Sequence, residues 1–310
     1  MNKITIGIPK ALLYYKYSEL WTSFFEELGC EIIVSPNTSK KILEDGIKFS
    51  LDESCMAMKI YMGHVYYLID KCDYILVPRL KCIKKHEKLC TNFSALYDLV
   101  NNIFDKKLIN YNVDIEHKED ELYAFVTMGL SLGFSYRKIV SAYHIAKEKE
   151  KMLKEREISK QKSIIASSNK IKILLAGHPY NLHDEFIGKQ IENVLEKNDI
   201  EIIYSDKYDT KYLEQEVKKI SPKNYWTYNK EIIGAISHYQ ELVDGIILIT
   251  SFPCGPDSLS NEMILRNVKI PITNLIIDEA NSDTGLLTRI ESFIDILEER
   301  RKNHDERENN

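Results

Sequence analysis

The sequence predicts an α/β protein of two Rossmann-like (flavodoxin-like) domains with parallel sheets, joined by a long helical segment. Three observations predict it. Short apolar runs rich in β-branched residues alternate with stretches of helical spacing, the rhythm of a doubly wound sheet. That rhythm occurs once before residue 135 and again after residue 169. Between them, from Tyr136 to about residue 162, Lys and Glu interleave with few apolar residues, which reads as a solvent-exposed helix. A length of 310 residues also suits two cores better than one. The expected boundaries are 1–135 for an N-terminal α/β domain, 136–168 for the helical linker and 169–302 for a C-terminal α/β domain. A disordered charged tail is expected over 303–310.

Taken in order, residues 3–8 form a strand that Gly7-Ile8-Pro9 ends. Residues 12–28 form a helix with an aromatic-rich apolar face, closed by Gly29 as its C-cap. A second strand covers 30–35, and helical spacing returns over about 53–69. A third strand, 73–78, runs into the basic stretch 79–88 and on to Cys90. Helices are expected at 96–104 and 120–132. In the second half, strands are expected at 170–176, 201–205, 245–250 and 272–277. The helices between and after them cover 185–197, 211–220, 228–242, 259–268 and 284–301.

Composition excludes several classes. A net charge of −5 gives no whole-chain attraction to nucleic acid or to anionic membranes. No apolar run is long enough to span a bilayer, and no signal core precedes the first strand, so a cytoplasmic protein is expected. Thiols stay reduced there, and six cysteines then point to metal ligation or to buried thiols, not to disulfides. No G-x-G-x-x-G, P-loop or C-x-x-C pattern is present.

The chain is organised around Ser251-Phe252-Pro253-Cys254-Gly255-Pro256-Asp257-Ser258, a strand-to-helix turn that carries a cysteine. Unpaired N–H groups at a helix start favour thiolate over thiol, and Gly255 lets the backbone approach a ligand. Cys55 falls in a first helical turn, and Cys90 follows a strand and a basic loop. Cys30 and Cys72 read as small buried hydrophobes, whereas Cys82 shares the loop with Cys90 and is ambiguous. The spacing of Cys55, Cys90 and Cys254 is too wide for a ferredoxin run or a zinc ribbon, so spacing alone leaves a shared metal site undecided.

Several local patterns bear a family resemblance. Ile6-Gly7-Ile8-Pro9-Lys10, Asp52-Glu53-Ser54-Cys55, Gly63-His64-Val65, Tyr74-Ile75-Leu76-Val77-Pro78-Arg79, Gly177-His178-Pro179-Tyr180-Asn181 and the Cys254 turn resemble 2-hydroxyacyl-CoA dehydratase components. The likeness runs from near residue 3 to near residue 295 and is strongest to the activase-related, dehydratase-like branch. It implies a [4Fe–4S] cluster held by Cys55, Cys90 and Cys254 in the cleft between two Rossmann-like domains, with one iron lacking a cysteine. Relatives often carry Cys-Pro-Lys-Phe at the middle ligand, where this chain has Cys90-Thr91-Asn92-Phe93, so Cys82 stands as the substitute. The implied chemistry is one-electron reduction of an acyl-CoA substrate to a ketyl radical, after which the 2-hydroxyl leaves. An ATP-dependent activator protein supplies the electron, and a homo- or heterodimer is implied.

Ser54, His178 and Tyr180 are the candidate catalytic residues. Ser54 and Ser258 either hydrogen-bond cluster sulfurs or cap helices. His178 and Tyr180, just past a strand end, either line a substrate cleft or pack a loop. His64 either approaches the cluster or fills a core contact, the latter favoured. Asp257 and Glu262 are either proton acceptors or first-turn complements to the helix dipole, and Arg289 with Glu291 reads as a surface pair. Two functions follow: a dehydratase-like lyase or related cluster-dependent reductase, or a non-catalytic cluster carrier passing electrons within a larger complex. A structural zinc site is a weaker third.

Overall fold

The structure, a computed structural model, describes residues 3–279 and 283–308. Its chain divides into two compact units, residues 1–156 with 225–227, and residues 157–224 with 228–310. Each is an α/β unit built on one four-stranded parallel sheet.

In unit 1 the strands are β1 (Thr5–Ile8), β2 (Glu31–Val34), β3 (Tyr74–Cys82) and β4 (Leu108–Asp114), in the spatial order β2-β1-β3-β4. All pairings are parallel. Parallel strands need crossovers, and helices supply them: α1 (Tyr14–Leu28), α2 (Lys40–Lys48), α3 (Met56–Leu68) and α4 (Thr91–Ile103), with α5 (Glu121–Ser131) after β4. Gly29 ends α1 with φ 85°, the left-handed conformation that glycine adopts without strain. The aromatic face of α1 is buried as its spacing predicts. Trp21 packs edge-on to Tyr111 of β4, and Phe24 to Phe125 of α5.

Two elements of unit 1 were not anticipated. The first, β4, buries Ile109, Tyr111 and Val113 while Asn110 and Asn112 face the other way, the alternation of a half-covered edge strand. The second, α2, has Ser39 as its N-cap, accepting from the Ile42 amide. It crosses α3 backbone to backbone: a Cβ on Gly46 would lie 1.8 Å from the Lys59 carbonyl oxygen, and one on Gly63 would lie 1.9 Å from that of Ile42.

α6 (Tyr136–Ser167) is the expected long charged helix, and the boundary between the units falls within it. In unit 2 the strands are β5 (Lys172–Gly177), β6 (Glu201–Tyr204), β7 (Gly245–Ser251) and β8 (Ile272–Ile277), in the order β6-β5-β7-β8, again all parallel. Its helices are α7 (Pro179–Leu182), α8 (Gly188–Lys197), α9 (Leu213–Ile220), α10 (Thr227–Tyr239), α11 (Gly255–Asn267) and α12 (Asp283–Glu308). Every residue of β7 is buried, as expected of a central strand covered on both faces. Ile246 and Leu248 of β7 join Ile233, Ile236 and Ile264 in the core of this unit.

The two sheets share one strand order, so the two-domain Rossmann-like reading describes both units. α12 continues to Glu308, past residue 301 where the sequence pattern ends the last helix. Its last turns are almost wholly charged, but Glu, Arg and Lys are good helix formers and extend a helix already begun. The final two residues of the chain lie outside the described residues.

Candidate functional site

In a parallel sheet of this order, the carboxyl edge beside the first strand is where the connections diverge and where ligands bind. The chain places its cysteines with that edge in view. α3 leads through a short loop into β3, α4 into β4 and α11 into β8, so each runs back against the strand direction and begins towards the carboxyl edge. Cys55, Cys90 and Cys254 are the N-cap residues of these three helices. None uses its side chain to cap the helix. Each sulfur therefore sits at a positive helix end without being spent on the orphan N–H groups.

Within unit 1, the Asn92 side-chain amide lies 3.9 Å from Cys55 Sγ, with its N–H donating. Asn92 is the second residue of α4, two beyond Cys90, so the starts of α3 and α4 meet at this hydrogen bond. Ser54 precedes Cys55, is half-buried, and donates its amide to the Leu51 carbonyl at 3.0 Å; Cys55, not Ser54, holds the cap position. Cys82 differs from the other two. It is buried at the end of β3, and its thiol donates to the Lys84 carbonyl at 3.0 Å. Burial pushes that thiol above its ordinary range, and the Glu116 charge adds to the effect. Cys30 is buried as expected, with burial raising its thiol, but Cys72 is only half-buried and donates to the Leu68 carbonyl.

Within unit 2, His178 follows β5 and Cys254 follows β7, the adjacent strands at which the order reverses. His178 Nε2 lies 2.9 Å from Asp257 Oδ1, and Asn229 Nδ2 donates to the same oxygen at 2.8 Å. Cys254 adds a third hydrogen bond to this carboxylate. Burial alone would push the Asp257 carboxyl up, but His178, Asn229 and Cys254 together hold it below the usual carboxylate range. The carboxylate thus orients the imidazole, whose Nε2–H faces it. His178 Nδ1 is buried and has no hydrogen-bond partner among the described residues. The Tyr180 ring stacks on the imidazole at 5.0 Å, 13° from parallel. Ser251 Oγ donates to Asn181 Oδ1, fixing the loop after β5 to the end of β7.

The other candidates take the quieter roles. His64 is wholly buried between Ser35 Oγ at 2.8 Å and Thr38 Oγ1 at 2.9 Å, a satisfied core histidine. Ser258 donates to the Cys254 carbonyl and Glu262 pairs with Arg266 on the surface. Arg289 donates to the Asn274 carbonyl and not to Glu291, because residues two apart on a helix point to different faces. Asn92 and Asn229 were not foreseen. Asn92 stood in the sequence two residues from a candidate ligand, but nothing in the sequence joins Asn229 to Asp257.

No helix among the described residues is long and apolar enough to cross a membrane. No curated protein matches the chain. Among solved structures, the Zn(II)-bound AdcA from Streptococcus pneumoniae is 9% identical with a TM-score of 0.28, covering 96% of this chain and 57% of its own. ZnuA is 10% identical with a TM-score of 0.27, covering 94% and 98%. Glucosamine-6-phosphate deaminase from Thermotoga maritima is 10% identical with a TM-score of 0.22, covering 90% and 77%. Likeness at this level carries no argument. The family model is different in kind: it matches residues 5–207, which include Cys55, Cys90 and His178 but stop short of Cys254. The match takes in more than half of the 310 residues, and the chain belongs to the family described as CoA enzyme activase uncharacterised domain (DUF2229).

Proposed function

We propose that the chain is an iron–sulfur protein related to 2-hydroxyacyl-CoA dehydratase components, in which Cys55, Cys90 and Cys254 hold a [4Fe–4S]-type cluster. It would serve low-potential one-electron chemistry on a small or CoA-thioester substrate. One observation carries the reading: these three cysteines alone among the six are helix N-caps, each with a side chain not used for capping. Thiolates are the ligands such clusters take, and a helix start stabilises the thiolate. The donor set therefore fits, and the place of Cys90 at the cap favours it over the strand-end thiol of Cys82.

When bound, the cluster supplies one-electron reduction and an iron able to polarise a substrate oxygen. The chain's own residues have separable parts. Asn92 donates a hydrogen bond to the Cys55 sulfur, the kind of contact that tunes a ligand's electron density. Asp257 accepts a hydrogen bond from the Cys254 thiol, whose proton would pass to solvent when the sulfur takes up iron, and it holds His178 by Nε2, leaving Nδ1 as the acceptor available for a hydrogen bond once substrate reaches it. Tyr180 fixes the imidazole plane by stacking. Ser54, beside the first ligand, is placed to contact substrate or sulfur. The sequence contains no P-loop pattern, so an ATP-dependent activator protein would supply the electron; the family match supports a partnership with a CoA enzyme. A second subunit would complete a homo- or heterodimer.

Anaerobic purification with iron and sulfide analysis tests the reading. About four irons per chain are expected, lost in Cys55→Ser, Cys90→Ser and Cys254→Ser but kept in Cys30→Ser. A chain without iron, or one that keeps it in all three variants, refutes the proposal. Assay with acyl-CoA esters, activator and ATP then separates turnover by a dehydratase-like enzyme from a carrier whose cluster ignores substrate.

A further inference from the structure

A second constellation of chemistry-bearing side chains, sharing no residue with the three cap cysteines, lies in unit 1. It arises from a break in the sheet. β3 and β4 pair in regular register up to Leu80 and Val113, then shift so that Cys82 stands opposite Asp114. A bulge at a strand end re-aims the side chains around it, and this one turns a thiol towards a carboxylate. One donor atom from each of Cys82, Asp114 and Glu116 falls within 4.8 Å of the other two.

The cluster has a second mark of a ligand site. The Asp114 side chain is only 5% exposed, yet its Oδ1 is buried with no hydrogen-bond partner among the described residues. An ionised carboxylate oxygen left in that state is costly unless something positive meets it. Its other oxygen, Oδ2, is held by His117 Nδ1 at 2.7 Å, a contact that fixes the orientation of the carboxylate. Glu116 gives Oε2 to the Lys88 ammonium at 2.8 Å, which leaves Oε1.

We propose that Cys82, Asp114 and Glu116 form a binding site for one divalent metal ion of the zinc class. The donor set selects the ion: a thiolate argues against magnesium and calcium, while mixed sulfur and carboxylate ligands suit zinc. Charge balances as well. The thiolate and two carboxylates carry three negative charges, which a divalent ion and the Lys88 ammonium neutralise together. Binding displaces the Cys82 thiol proton to solvent and forms the sulfur–metal bond, with no electron transferred. Three protein donors leave a position for water, and the exposed Glu116 marks the side from which the ion enters.

Cobalt(II), the spectroscopic stand-in for zinc, provides the test. The probe protein is the full chain carrying Cys55→Ser, Cys90→Ser and Cys254→Ser, purified under reductant and stripped of metal, with folding checked by circular dichroism. One cobalt per chain is expected, with a thiolate-to-cobalt charge-transfer absorption that zinc bleaches. Cys82→Ser added to this background should abolish the absorption, and Asp114→Asn should weaken binding by about tenfold or more. If the triple variant does not fold, the same comparison is made between the otherwise unaltered chain and its Cys82→Ser form, where one cobalt equivalent should disappear. Absence of the absorption, or its survival unchanged in Cys82→Ser or Asp114→Asn, overturns the proposal. Failure of iron binding at the cap cysteines leaves it standing, since it shares no residue with that site.

Discussion

Acid should destabilise unit 1 through His64, and the size of the effect can be worked out. The ring is wholly buried between two hydroxyls, with Ser35 Oγ also accepting from the Lys10 amide at 2.7 Å. Burial, with help from the Lys10 charge, lowers the imidazole from 6.5 to about 3. A histidine whose folded value is depressed stays neutral in the fold but takes up a proton when unfolded. Its contribution is thus complete above the unfolded value of 6.5 and is lost as pH falls from there towards about 3. Each unit within that window costs about 1.4 kcal/mol, so the step from 6.5 to about pH 5 removes about 2 kcal/mol. Tryptophan fluorescence reads this unit selectively, because Trp21 and Trp226 are the only two tryptophans and both belong to it. Urea titrations at several pH values should show wild-type stability falling by that amount relative to His64→Gln, which cannot titrate. Equal pH slopes for the two proteins, or an NMR titration of the His64 ring near its ordinary value, would refute the argument.

Replacing Asp257 by Ala should destabilise unit 2 by about 3–5 kcal/mol, because it strands a buried histidine and two further donors. Hydrogen exchange of β5 and β7 peptides would measure it, and unchanged protection would show the pair to be idle. The lowered Asp257 carboxyl also gives a sign: its contribution holds above the ordinary value of 3.8 and is lost as pH falls through the folded value below it, a loss absent from Asp257→Asn. Gly46→Ala should cost unit 1 about 1–3 kcal/mol or more, since its methyl would meet the Lys59 carbonyl oxygen at 1.8 Å. A wild-type fluorescence midpoint in urea would contradict that.

The sheets were legible because buried parallel strands announce themselves as short β-branched runs between helical spacings, as 245–250 does. β4 escaped for the opposite reason. Its apolar residues alternate with Asn110 and Asn112, so it shows no continuous run, although Ile109, Tyr111 and Val113 keep a period of two. α2 was hidden by Gly46, a residue that ordinarily argues against a helix interior. Here it earns its place through the close crossing with α3, and that crossing depends on a second glycine, Gly63, seventeen positions away in the chain.

The same distinction governs the two candidate sites. A cysteine at a helix start is defined by its immediate neighbours, so Cys55, Cys90 and Cys254 could be told from Cys30 and Cys72 by local context, with Cys82 left ambiguous. The resemblance to a family then supplied the expectation that these three share one cluster. Cys82 offered no such handle. What sets it apart is a slipped register against a strand that was itself unforeseen, and Asp114 comes opposite only because of that slip. Local sequence can therefore mark a residue that a helix end will polarise. It cannot mark one whose partners are assembled by tertiary pairing, and His178 with Asp257, seventy-nine residues apart, belongs to that second kind.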